Sequence, residues 1–170
     1  MSKTGIFYSF STRNSATVAE KIKSLFGKEH LETVAMDELT EEQFLKYDNY
    51  ILSSPTWFDG ELAGYWDEFV PALEEMDLKG KTVAIFGLGN QLEYPDNFGD
   101  AVGLLSDLLE SRGAKIVGQT PTTGYTFDKS RAVRKNHFLG LLIDVENQDH
   151  LTDERLKNWV VNIRKEFNKS

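Results

Sequence analysis

Gly5-Ile6-Phe7-Tyr8-Ser9-Phe10-Ser11-Thr12-Arg13-Asn14-Ser15-Ala16-Thr17-Val18-Ala19 is the stretch that decides the fold. An apolar, β-rich run gives way at Ser9 to a helical pattern, so a strand, a tight joint and a helix start are predicted in that order. Five hydroxyls (Ser9, Ser11, Thr12, Ser15 and Thr17) crowd the joint. A helix start leaves backbone N–H groups unpaired and carries partial positive charge, so the joint suits a bound phosphate with the hydroxyls as neutral donors. No Gly-Lys-Ser/Thr stands at this helix start, which points to one phosphate rather than three. An ordinary Asn or Ser cap fits the same residues, and at this point both readings stand.

Outward from that joint, strand-like and helix-like segments alternate. Short apolar runs recur at residues 50–53, 82–87, 115–118 and 138–143, with a weaker one at 31–36. Val18, Ile22, Leu25 and Phe26 share one helical face, as do Val102, Leu105, Leu108 and Leu109. A last helix is expected to open near Thr152, with Leu156, Trp159, Val160, Ile163 and Phe167 in one stripe. Such alternation predicts an α/β domain: a doubly wound, five-stranded parallel sheet with helices on both faces. Ligands then sit beyond the carboxyl ends of the strands, where the loops 9–15, 54–64 and 87–99 should converge. Residues 119–137 are polar, long for a loop, and interrupt the fifth strand.

Composition narrows the function. A chain of 170 residues without a Pro/Gly/Ser-rich linker is read as one domain, 1–170. The absence of cysteine excludes disulfides, thiolate metal sites and a thiol nucleophile. The N-terminal residues lead into a strand with no apolar signal core, so a soluble cytoplasmic protein, a monomer without membrane insertion, is the expectation. A net charge of −8 argues against nucleic acid. Residues 59–77 hold seven acids and no Lys or Arg, whereas 112–135 hold six bases against one acid. If the two segments lie apart, that dipole would steer a basic partner; as a solvated face it would do nothing specific.

Two of the loops carry aromatics. Pro55-Thr56-Trp57-Phe58-Asp59-Gly60 puts Trp57 just past a buried strand, and the next loop supplies Tyr94. Each alone could cover the open end of the sheet as core. Beside a phosphate cradle, the pair instead suits a clamp on a flat ring. Gly87-Leu88-Gly89-Asn90-Gln91 lets backbone approach a ligand closely, with the amides of Asn90 and Gln91 able to read an imide edge. It lacks the third glycine of a dinucleotide fingerprint.

On these residues the chain resembles the long-chain flavodoxins. The resemblance runs through Gly5 to Tyr8, Pro55 to Trp57, Gly60 to Leu62, Gly80 to Gly89, Tyr94 to Phe98, Arg112 to Gly118 and Thr152 to Arg155. The segment 119–137 corresponds to the insertion in strand five that marks the long-chain class. The resemblance implies a flavodoxin-like fold and a low-potential one-electron carrier that binds FMN non-covalently and is not an enzyme. It would run between an NADPH-dependent reductase and acceptors otherwise served by ferredoxin. By position, Phe10, Ser11, Thr12, Arg13, Asn14 and Ser15 would hold the phosphate. Trp57 and Tyr94 would stack on the two faces of the ring, and Asn90 would meet its pyrimidine edge. Pro55, Thr56, Leu88, Gly89, Asn97 and Glu146 complete the expected cofactor contacts. In that family the peptide linking residues 58 and 59 turns its carbonyl toward flavin N5 on one-electron reduction, so Phe58, Asp59 and Gly60 are included, with Gly60 easing the rotation.

Departures from the family pattern are specific. Its phosphate loop reads Thr/Ser-x-Thr-Gly-x-Thr, where this chain has Phe10-Ser11-Thr12-Arg13-Asn14-Ser15. Arg13 would be strained if left-handed; otherwise its guanidinium is expected to reach the phosphate. Leu88 stands for a frequent Thr, Asn90 for a frequent Asp, and Glu146 for an Asp near the ribityl chain. The alternative within the fold is an FMN activator of a metalloenzyme such as ribonucleotide reductase, but those chains are shorter and lack the insertion. A receiver domain would need an acidic pair after the first strand, and residues 7–11 have none.

Overall fold

In a central parallel strand both faces meet helices, so its sequence is continuously apolar rather than alternating. Strand β1 (Thr4–Tyr8) follows that rule and is buried along its whole length. The computed structural model describes residues 2–169. After β1 come α1 (Arg13–Phe26), β2 (Glu32–Ala35), a single helical turn α2 (Glu41–Phe44), β3 (Asn49–Ser53), and a hairpin of β4 (Thr56–Trp57) and β5 (Glu61–Leu62). Then follow α3 (Gly64–Leu73), β6 (Thr82–Leu88), α4 (Asp100–Ser111), β7 (Lys115–Val117), β8 (Thr120–Pro121), β9 (Val133–Arg134), β10 (His137–Phe138), β11 (Leu141–Ile143) and α5 (Val145–Phe167).

The main sheet runs β2-β1-β3-β6, all parallel, and its fifth position is shared. β7 pairs with residues 82–84 of β6 and β11 with residues 86–88, so one strand position is filled by two segments. Between them the chain leaves to build a three-stranded antiparallel sheet, β8-β10-β9. The run 138–143, expected as one strand, is therefore divided: Phe138 belongs to the small sheet and Leu141 to the large one. Gly140 sits at the division because a Cβ there would lie 2.1 Å from the carbonyl oxygen of Ile85.

Period-two alternation along the strands feeds two cores. Ile6, Tyr8, Ile51 and Phe86 pack under α1 and α5, while Phe7, Leu52, Val83 and Ile85 pack under α3 and α4. Leu25, placed by its spacing on the apolar face of α1, is 41% exposed, because that face narrows toward the helix end. The last helix begins earlier than Thr152: α5 starts at Val145, capped by Asp144, and leaves helical angles once, at Gln148 (φ −135°, ψ 33°). Its first turns are polar and carry no apolar stripe, so periodicity had nothing to register there.

The acidic and basic segments are not apart along their whole length. Arg112 Nε donates to the Met76 carbonyl at 2.8 Å, so the basic segment touches the end of the acidic one. Arg134 is paired with Asp107 and Glu110, and Lys115 lies 3.8 Å from Glu166. Among the described residues no helix is long and apolar enough to cross a membrane.

Candidate functional site

The loops after β1, β3 and β6 meet the start of α5 at the carboxyl rim of the sheet, where they enclose an open cleft of about 280 Å³. One end is the start of α1. Its N-cap is Thr12, whose side chain makes no capping hydrogen bond, and its first turn has no acidic residue. The reading of this joint as an ordinary capped helix therefore fails. Ser15 is 1% exposed and its Oγ has no hydrogen-bond partner. Thr12, Asn14 and Ser15 all line the cleft. A buried hydroxyl without a partner is costly, and beside the unpaired N–H groups of a helix start an acceptor-rich anion would satisfy it.

The other hydroxyls of the joint are engaged elsewhere. Ser9 Oγ donates to Asp37 at 3.0 Å and lies 2.9 Å from Ser11 Oγ; Thr17 Oγ1 donates to the Arg13 carbonyl at 3.0 Å. Phe10, Ser11 and Arg13 are not among the residues that line the cleft. Phe10 is 56% exposed and leans on the Tyr8 ring at 5.1 Å. Arg13 is the first residue of α1, so left-handed strain does not arise, and its exposed side chain stays outside the lining. The expected guanidinium contact with a phosphate thus lacks support in the geometry.

Trp57 and Tyr94 line the opposite part of the cleft, together with Pro55, Thr56, Phe58, Leu88, Gly89 and Asn97. Trp57 is half-buried and held edge-on by Tyr65, at 6.0 Å and 83°. Tyr94 is 46% exposed. Tyr94 is no part of the core, whereas Trp57 packs against it from the cleft side. The negative charge of Glu93, with the hydrogen bond it accepts from Tyr94, raises the Tyr94 hydroxyl above its ordinary pKa. Phe98 and Gly99 also line the cleft and were missed by sequence reasoning. The one signal was the glycine, whose φ of 67° starts α4.

Asn90 and Glu146 stand at the remaining wall. Asn90 Oδ1 already accepts from Asn147 Nδ2 at 2.8 Å and from the Glu93 amide at 3.0 Å. Its side-chain oxygen is therefore committed, contrary to the expectation that it would read an imide N–H. Gln91 is 3% exposed and outside the cleft. Its amide nitrogen donates to Asp144 at 2.8 Å and its oxygen accepts from the Thr126 backbone. Asp59 and Gly60 do not line the cleft either; they form the tip of the β4–β5 hairpin, next to Phe58, which has φ 50° and is 75% exposed.

Against known proteins, residues 6–159 match the family described as Flavodoxin. Flavodoxin 1 of Escherichia coli K12 is 42% identical over 168 residues, covering 98% of this chain and 96% of that protein. The flavodoxin of Synechocystis is 42% identical over 165 residues, covering 96% and 97%. The crystal structure of Fusobacterium nucleatum flavodoxin bound to flavin mononucleotide superposes with a TM-score of 0.93 at 33% identity, covering 98% of this chain and 99% of that one.

Proposed function

The chain belongs to the flavodoxin family, and from that premise we propose that it holds FMN in this cleft and carries electrons one at a time between a reductase and acceptors otherwise served by ferredoxin. Flavodoxins are electron-transfer proteins rather than enzymes with a substrate of their own. Bound FMN supplies the redox chemistry; the chain supplies binding, orientation and electrostatics.

The observation that carries the reading is Ser15 Oγ, buried and unpartnered in the uncapped first turn of α1. With Thr12 and Asn14 it would hold the phosphate. Trp57 and Tyr94 offer two aromatic planes to a ring whose stacking needs no charge. Acidic Glu146 in the cleft wall, with the acids around Asp59 to Asp67, would disfavour added negative charge in the slot, which makes the second reduction harder than the first.

The donor in this reading is an NADPH-dependent reductase. Its support is the exposed acidic set Asp59, Glu61, Asp67 and Glu68 around the exposed Phe58, a surface suited to a basic partner and to rapid encounter at low salt. The protein would work as a soluble cytoplasmic monomer without nucleic acid. A potentiometric titration of the FMN-loaded protein tests the reading: two resolved one-electron couples, the second strongly reducing, are expected. A single two-electron wave at the potential of free FMN would overturn it.

A further inference from the structure

Strand register brings a second loop to the β1–α1 joint. Parallel pairing of β1 with β2 sets Tyr8 beside Ala35, so the residues that follow each strand meet: Ser9 on one side, the single turn Met36–Glu38 on the other. Met36 is buried in the core and anchors that turn, while Asp37 reaches the joint. Ser9 is 1% exposed, and its Oγ lies 3.0 Å from each oxygen of the Asp37 carboxylate. The same Oγ is 3.3 Å from Ser11 N and 2.9 Å from Ser11 Oγ. A carboxylate only accepts, and a hydroxyl has a single proton to give. The Ser9 proton therefore goes to Asp37, and both Ser11 groups donate to Ser9.

We propose that Asp37 is the positioning residue of the β1–α1 joint: by taking the one proton of Ser9 it makes Ser9 Oγ an acceptor, which ties up the Ser11 N–H and O–H and leaves the cleft to Thr12, Asn14 and Ser15. None of Asp37, Ser9 and Ser11 lines the cleft, so the carboxylate acts through the loop and not on the ligand. Without it the Ser9 proton turns to other acceptors, the Ser11 donors are released, and residues 9–12 gain local arrangements that compete with the present one. Ordering the loop again then falls to the ligand and weakens binding. An anion at the start of α1 needs the loop in one shape; a flat ring between Trp57 and Tyr94 does not. Charge alone predicts the opposite sign, because a carboxylate near a phosphate repels it. A helpful Asp37 therefore acts by shape.

This rests on FMN being the ligand of the cleft, and the test separates the two claims. In flavin fluorescence titrations Asp37→Ala should weaken FMN about tenfold and riboflavin by no more than about twofold. Asp37→Asn keeps an acceptor oxygen for Ser9 and loses the charge, so FMN affinity should return to within about threefold of wild type. The double variant Ser9→Ala/Asp37→Ala should bind FMN as Asp37→Ala does, because the carboxylate acts through Ser9. In the apoprotein, backbone 15N relaxation should show Phe10 and Ser11 gaining fast motion in Asp37→Ala while Phe7 and Val18 do not. Equal weakening of both flavins, tighter FMN in both Asp37 variants, additive losses in the double variant, or unchanged motion of Phe10 and Ser11 overturns the inference. A wild-type protein that holds FMN no better than riboflavin overturns the functional reading instead, and the apoprotein relaxation then still decides the role of Asp37.

Discussion

Two helices begin at the same rim of the sheet, and their starts are built in opposite ways. At α5 the capping Asp144 is fully buried and accepts from Asn147 N, Asn147 Nδ2, Gln91 N and Gln91 Nε2, at 2.8 to 3.1 Å. At α1 the cap makes no side-chain bond, the first residue is the cation Arg13, and a buried hydroxyl goes without a partner. One start is complete within the chain; the other is left open. A helix end left open beside a buried, unpaired hydroxyl is where the proposed phosphate would be satisfied, and the contrast supports that reading.

The contrast can be broken most forcefully from the finished side. Asp144→Ala strands several buried donors and should cost about 3 kcal/mol of apoprotein stability in urea unfolding. The same measurement on the open side should show the reverse sign: Thr12→Asp supplies the missing cap and stabilises the apoprotein by about 0.5–1 kcal/mol. That variant should also weaken FMN by roughly a hundredfold, because a carboxylate then occupies the phosphate's place. Ser15→Ala sharpens the point: apoprotein stability within about 0.5 kcal/mol of wild type, with FMN affinity reduced about tenfold in fluorescence quenching. Asn90 is tied to the α5 start through Asn147, and Asn90→Asp adds a charge to the finished wall. The second midpoint potential should fall by roughly 30–60 mV.

The smallest effect belongs to a third helix start, that of α4. Burial pushes the Asp100 carboxyl above the usual aspartate range, against the opposing pull of the Arg131 amide and guanidinium. The folded chain therefore takes up this proton at higher pH than the unfolded chain does. Its contribution to stability falls as pH rises through the raised value and is recovered on acidification. Asp100→Asn should flatten that limb in urea unfolding followed upward in pH from the ordinary aspartate range.

The parallel sheet, its doubly wound plan and the converging loops were legible because continuous apolar strands and amphipathic helices imprint period on the chain. The interruption of strand five was legible as a polar stretch with nowhere to go, but its three short strands were not, since two-residue pairings leave no periodic trace. In the cleft, Trp57, Tyr94 and Ser15 could be found because residue type and place in the loop agree. Phe10, Ser11 and Arg13 were carried over by position in the family's phosphate loop, and position along a turning loop does not fix direction. Asn90 lines the cleft as expected, but its side-chain amide and that of Gln91 are engaged by Asn147, Glu93, Asp144 and Thr126, partners far away in sequence or hidden in a turn.

The most direct test of the claim that the open start of α1 holds a phosphate is a side-by-side titration of the apoprotein with FMN and with riboflavin, followed by flavin fluorescence. FMN should bind one to one and at least about a hundredfold more tightly than riboflavin, which offers the same ring without the anion, and Ser15→Ala should shrink that ratio. Equal affinities for the two flavins, or no quenching by either, would contradict the account.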